Sequence, residues 1–395
     1  MRLLFIVVIT FSLFLTGCWG SNEIDTLAIN VAIGIDKDGD KCKITSQIIN
    51  PRVIAVGENA NESPVIIFEK EGTDLDEAIL KMTSKSSRKL FNLHLRMLVI
   101  SEEAAKHGIK NIIEYFFRNN EYRTDFYIVI AKDATARDIL KVLSPTELIP
   151  AIYMYESLEL SGEREATTKP VKIIELANAI ISEGKNPTLT GIKIDEEEEI
   201  IPDSIEELQK SSNIKKLAHY GIGVLKEDKL IGWLNEEESK GFNYITGNVY
   251  RAVIHSHCEG GSRIAYQIIK LDSKITADLI DGKPVINVKL NVLANIRNIF
   301  GELDVTDVKN IKVLVEEAEK RIKNICEDTL NKVQNEFKTD IFGFGEVIYR
   351  KYPKLWKELK DDWDSKFSDL DVYVDVNVKI NQLGQITKPV FMKGN

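Results

Sequence analysis

The sequence predicts an α+β protein of two or three domains, with a long helix packed on an antiparallel sheet towards the C-terminus. Three observations support this. Short apolar segments alternating with period two recur from Leu27 to Ile100 and again from His219 to Ile296. Between and after them lie segments whose apolar residues recur every three or four positions, the longest from Asp307 to Lys338. The length, 395 residues, exceeds what one hydrophobic core usually organises, and 44% apolar with 29% charged residues leaves all of it foldable.

The first seventeen residues read as a leader. Arg2 supplies a positive n-region, Leu3 to Leu15 an apolar run, and Leu15-Thr16-Gly17-Cys18 a lipobox in which two small residues precede the cysteine. Thirteen apolar residues rise only about 20 Å, short of the roughly 30 Å hydrocarbon core, which disfavours a retained transmembrane helix. Cys18 is therefore the candidate lipidation site. Its thiolate can be alkylated by a diacylglyceryl donor to a stable thioether, and two acyl chains at about 0.8 kcal/mol per buried methylene hold a protein durably where one does not. The expected position is the outer face of a cytoplasmic membrane.

Leu27 to Asp36 and Lys41 to Asn50 alternate across Asp36-Lys37-Asp38-Gly39-Asp40 and predict a β-hairpin. Pro64 to Glu69 is a third strand, after which Thr73 caps a helix beginning at Asp74, with Asp76 in capping-box position. Leu93 to Ile100 is a strand, and Ser101 caps a helix with Ala105, Ile109, Ile112, Ile113 and Phe116 on its apolar face. Asp125 to Ala131 is a short strand. Ala134 to Leu143, Glu147 to Leu160 and Val171 to Ser182 are helices. The run Asp195 to Glu199, then Pro202 and a polar stretch, interrupts the pattern and reads as a solvated linker.

The second half opens with strands His219 to Lys226 and Leu230 to Leu234, then a brief helix at Glu236 to Phe242. Strands at Val249 to Cys258, Ile264 to Leu279 and Val285 to Ile296 form an antiparallel meander, turned through Asp281-Gly282. The long helix follows and is broken at Phe342-Gly343-Phe344-Gly345. A second helix runs from Ile348 to Trp363, and Val372 to Ile380 closes as a strand. The expected organisation is a leader at 1–17, an N-terminal α+β region at 18–200 with two subdomains, a linker or exposed excursion at 201–216, and a C-terminal α+β domain at 217–395.

The formal charge is −9, and one more negative once Arg2 is removed. Such a surface repels phosphates, which argues against nucleic acid as a partner and leaves membrane attachment to the lipid anchor. Cys42, Cys258 and Cys326 are odd in number and widely spaced, so no disulfide is expected. No residue set invites catalysis, a cofactor or a metal. His255-Ser256-His257-Cys258 places its histidines on one strand face and its cysteine on the other, so three ligands cannot converge. Asp36, Asp38 and Asp40 resemble the start of an EF-hand loop but lack the later ligands. Gly221-Ile222-Gly223 and Gly343-Phe344-Gly345 lack the third glycine of a dinucleotide fingerprint and read as packing glycines.

Three stretches together resemble the Ger(x)C spore germination lipoproteins, the C subunits of nutrient germinant receptors. They are Leu15-Thr16-Gly17-Cys18-Trp19 with Glu23-Ile24, Leu27-Ala28 and Ala32 to Asp38; Gly221 to Lys226 with Asp228 to Leu234; and Asp340 to Glu346 with Tyr352 to Trp356 and Trp363. Trp19-Gly20-Ser21-Asn22-Glu23 departs from the acidic residue and basic pair that many members carry there. The resemblance implies three mixed α/β domains and anchoring to the outer face of the spore's inner membrane. It also implies assembly with two integral-membrane partners, the A and B type subunits, in a complex that senses amino acids, sugars or nucleosides and triggers ion and dipicolinate release. The alternative from another class is a solute-binding lipoprotein delivering a nutrient to a transporter, which would need two lobes of repeated strand-helix units around a cleft.

Overall fold

The computed structural model describes residues 26–56, 62–84, 88–144, 146–195, 216–257, 261–301 and 307–383. The leader, Cys18, Cys258 and all of the expected linker except Lys216 lie outside the described residues.

The alternating stretch from Leu27 folds back at Gly39 as the hairpin predicts, giving β1 (Leu27–Asp38) and β2 (Lys41–Ile49). A short helix, α1 (Pro51–Val56), leads to β3 (Val65–Gly72), antiparallel to β2. Helix α2 (Leu75–Thr83) is capped by Asp74, which accepts the Glu77 N–H at 2.8 Å, one residue later than expected; Thr73 instead bonds the Glu77 carboxylate. An unpredicted three-residue strand, β4 (Lys89–Phe91), pairs with the start of β1. The strand expected from Leu93 begins only at Met97, as β5 (Met97–Ser101). Ser101 caps α3 (Glu102–His107) through the Ala104 N–H. The helix expected to continue to Phe116 breaks at Gly108 and restarts as α4 (Lys110–Arg118). The cause is tertiary. Asp228, from a distant turn, accepts the Ile109 and Lys110 N–H groups at 2.9 Å each, and a Cβ on Gly108 would stand 2.7 Å from its carboxylate.

Strand β6 (Tyr127–Ala131) is followed by α5 (Ala136–Lys141), α6 (Pro150–Arg164) and α7 (Ile173–Ile181). Next comes β7 (Thr188–Ile194), which the sequence pattern did not signal, then β8 (Leu217–Lys226) and β9 (Lys229–Leu234). One sheet holds all nine strands in the order β3-β2-β1-β5-β6-β7-β8-β9, with β4 beside β1. Its centre, β1-β5-β6-β7, is parallel. Helices cover both faces, so Met97, Leu98, Val99 and Ile100 of β5 are all fully buried, each worth about 1.5–3 kcal/mol relative to exposure. Hydrogen bonding therefore carries this sheet through Leu234: the hairpin 217–234, expected to open the C-terminal region, pairs with β7.

Helix α8 (Glu236–Thr246), with a capping box between Asn235 and Glu238, leads into the second sheet. This contains β10 (Ala252–His257), β11 (Arg263–Ile280), β12 (Lys283–Phe300) and β13 (Asp371–Gln382), in that order. The first three form the expected antiparallel meander. The last joins parallel to β12, because the chain returns only after a long crossover. That crossover begins with α9 (Val308–Lys332), capped by Asp307, and ends its long helical run in a π-helical turn to Phe337. Leu314, Ala318, Ile322, Ile325 and Leu330 face the sheet, as the spacing predicts. The second helix expected from Ile348 to Trp363 is three shorter ones, α10 (Phe344–Lys351), α11 (Pro353–Leu359) and α12 (Trp363–Ser368). Pro353 sits at the first helical position of α11, where its missing N–H is harmless. The core beneath this layer also takes Ile222, Val224 and Leu234 from the hairpin of the first sheet.

Candidate functional site

The strongest concentration of polar chemistry in the described core is at Asp340, where the long crossover turns from α9 into α10. The residue is fully buried. Its Oδ1 accepts the backbone N–H groups of Phe342 at 3.0 Å and Gly343 at 2.8 Å. Its Oδ2 accepts the Gly345 N–H at 2.8 Å and the Trp363 indole N–H at 3.2 Å. Burial pushes this carboxyl up to about 6, against the hydrogen bonds that favour its charged form. An aspartate two to five residues ahead of the N–H groups it gathers is an Asx-type turn extended to a third amide.

Around this knot the two sheets are tied together. The Asp340 carbonyl accepts the Asn186 N–H at 2.6 Å, and the Trp356 indole donates to Glu183 at 3.2 Å. The Ser182 hydroxyl donates to Glu346, and Lys226 pairs with Asp364 at 2.6 Å. Gly184 and Gly345 meet backbone to backbone beneath Trp356: a Cβ on Gly345 would stand 2.7 Å from the Gly184 Cα, its carbonyl oxygen and the indole. Trp356 and Trp363 pack edge to face at 5.1 Å, and Phe342 stacks on Phe344 at 5.1 Å. All four donors to the carboxylate are fixed parts of the fold. The arrangement is built to hold backbone in place.

Of the other residues considered from sequence, Asp36 and the glycines at 221 and 223 take structural roles. Cys18 lies outside the described residues. His255 and His257 are both exposed on one face of β10, as the alternation implies. Asp36 ends up inside the protein, accepting the Ala136 and Arg137 N–H groups at 2.7 and 3.1 Å, so it caps α5; burial raises its pKa against those bonds. Gly221 and Gly223 lie on β8, and a Cβ on Gly221 would overlap the Leu234 carbonyl. Among the described residues there is no cluster of three metal-type side chains, and no helix long and apolar enough to cross a membrane.

His219 carries a pH dependence. Its Nε2 lies 2.9 Å from the Ser157 hydroxyl, its Nδ1 is buried without a partner, and burial depresses its pKa to about 4. The unfolded chain therefore binds a proton that the folded one refuses between about pH 6.5 and 4. Stability present above pH 6.5 is expected to fall through that window by about 1–2 kcal/mol, allowing for partial exposure of the ring. Denaturation of wild type and His219→Gln at pH 7 and pH 5 checks this. An equal loss in both would remove His219 as the cause.

Two family profiles match consecutive stretches of the chain, "Spore germination protein N-terminal domain" over residues 20–194 and "Spore germination B3/ GerAC like, C-terminal" over residues 220–384. The chain is similar to Bacillus subtilis (strain 168) spore germination protein KC, 27% identical over 98% of this chain and 97% of that one. It is likewise similar to spore germination protein B3 of the same organism, 23% identical over 97% and 98%. Among solved structures, the crystal structure of the GerBC protein superposes with a TM-score of 0.57 at 20% identity, covering 88% of this chain and 96% of that one, which shows a shared fold.

Proposed function

The chain belongs to the Ger(x)C family of spore germination proteins, and from that premise we propose that it is the lipid-anchored subunit of a spore nutrient germinant receptor. In this reading it sits on the outer face of the spore inner membrane, joined to it through Cys18, and assembles with integral-membrane A and B type subunits. It is needed for assembly of the complex or for passing on its signal. The observation that carries the reading is the match to germination proteins end to end, with the family-like segments Gly221 to Leu234 and Asp340 to Trp363 lying in the junction that ties the two sheets together. A receptor subunit that acts by holding partners needs rigid internal geometry, and the Asp340 knot supports that. The solute-binding alternative is less well supported, because one continuous nine-stranded sheet followed by a separate four-stranded one differs from two repeated lobes.

The test is nutrient-triggered dipicolinate release from spores lacking this chain, complemented with wild type or Cys18→Ala, with calcium-dipicolinate and dodecylamine as receptor-independent triggers. Deletion is expected to abolish the response to one nutrient class while both controls persist. Cys18→Ala is expected to fold normally but to leave the membrane fraction by about tenfold or more, since both acyl chains are lost together. A fully membrane-bound and active Cys18→Ala protein would refute the anchor.

A further inference from the structure

The two edges of the second sheet differ in character. β10 is six residues long, whereas β13 runs for twelve and has no strand beside it on the side away from β12 among the described residues. An edge of that length is usually blunted by a proline or a bulge in mid-strand, because its free N–H and C=O groups template further pairing. β13 has no proline, and its irregularity comes only at the last pairs, where Ile380 meets Ala294 and Gln382 meets Asn295.

One contact fixes which groups face out. The Val378 N–H donates to the Glu319 carboxylate of α9 at 2.9 Å, so it is turned away from β12. Alternation along the strand turns the N–H and C=O groups of Val374, Val376 and Ile380 the same way. The side chains of these residues lie against the core under α9, Val374 and Val378 buried, Val376 and Ile380 only partly covered. Asp375, Asn377 and Lys379 occupy the opposite, exposed face. Asp375 lies 3.9 Å from Lys289 with its side chain still 73% exposed, and Lys379 has no ion-pair partner among the described residues.

We propose that two copies of this chain join along β13, edge to edge and antiparallel, about a two-fold axis at Asn377. Antiparallel pairing uses the same edge on both copies and closes the assembly at two, whereas a head-to-tail contact need not close. With the axis at Asn377, Asp375 of each copy stands opposite Lys379 of the other. Val376 then stands opposite Val378, so main-chain hydrogen bonds pass between residues whose N–H and C=O groups face outward. Other registers lose this match. An axis at Asp375 or Lys379 sets like charge against like, and one at Val376 or Val378 leaves both charges opposite uncharged residues. Glu319 holds the Val378 donor in the single chain and yields it to the Val376 carbonyl of the second copy. Pairing of copies is independent of the receptor role, so either can fail while the other stands.

Sedimentation velocity of the full-length chain in density-matched detergent, over a concentration series, tests the pairing. A reversible dimer with a Kd in about the micromolar range is expected. Asp375→Lys and Lys379→Asp, both on exposed side chains, are each expected to weaken it about tenfold, and the double variant D375K/K379D to recover most of the loss, because reversed charges again meet their opposites. Under mild oxidation Asn377→Cys is expected to form a disulfide-linked dimer, since that residue faces its own copy, while Asp375→Cys is expected to stay uncrosslinked like wild type. A chain that is monomeric at every concentration overturns the proposal. So does a dimer indifferent to the charge reversals, or one in which Asn377→Cys crosslinks no better than Asp375→Cys.

Discussion

Asp340→Ala is expected to lower the stability of the protein by about 3–5 kcal/mol, read as a shift in the denaturation midpoint. The fully buried carboxylate satisfies three backbone N–H groups and one indole N–H. Removing it strands all four donors, at roughly 1–3 kcal/mol for each that finds no substitute. Relief from burying a charge returns part of this, which keeps the net below the simple sum. Asp340→Asn is expected to rescue little, because its NH2 group would face donors. Emission from Trp356 and Trp363 should shift to the red in both variants as the turn opens. A loss below about 1 kcal/mol would mean that the Phe342 to Gly345 turn holds itself without the side chain.

Gly345→Ala is expected to cost about 2–3 kcal/mol and to act across the junction. The new methyl would meet backbone of residue 184 and the six-membered ring of Trp356, each at 2.7 Å, and backbone cannot yield by changing rotamer. The two sheets must separate locally, straining the Asn186 to Asp340 hydrogen bond and the Trp356 to Glu183 contact. Gly184→Ala meets the same obstacle from the other side, so the double variant is expected to cost less than the two single losses added together. Additive losses would show that the two glycines do not share one contact. In spores, either variant is expected to reduce nutrient-triggered dipicolinate release while leaving the dodecylamine response intact.

Much of the fold was legible because its signals are local. Turn residues at Gly39 and Asp281-Gly282 fixed two hairpins, Ser101 announced a helix start, and three-to-four spacing marked α9. What escaped depends on contacts between distant residues. Thr188 to Ile194 carries β-branched residues but is interrupted by Gly191, and it becomes β7 because β6 and β8 supply partners on both sides. The hairpin 217–234 carries nothing in its alternation to say which sheet it joins. The break at Gly108 depends on Asp228, more than a hundred residues away.

The same limit applied to the candidate site. The segment Asp340 to Glu346 stood out as a family-like pattern, but the hub role of its aspartate did not. An aspartate followed by Ile-Phe-Gly-Phe-Gly, where small residues leave amides free to converge, was the available hint.

The hairpin of β8 and β9 has a consequence for how the chain is made. It completes the first sheet by pairing with β7, and through Ile222, Val224 and Leu234 it also supplies part of the floor on which the second core is laid. A ribosome delivers these residues before any strand of the second sheet has emerged. The N-terminal half can therefore close first and present a finished apolar template, and the remaining strands condense onto it in the order in which they are synthesised. A fragment beginning after Leu234 would be born without that template and would expose the side chains meant to rest on it.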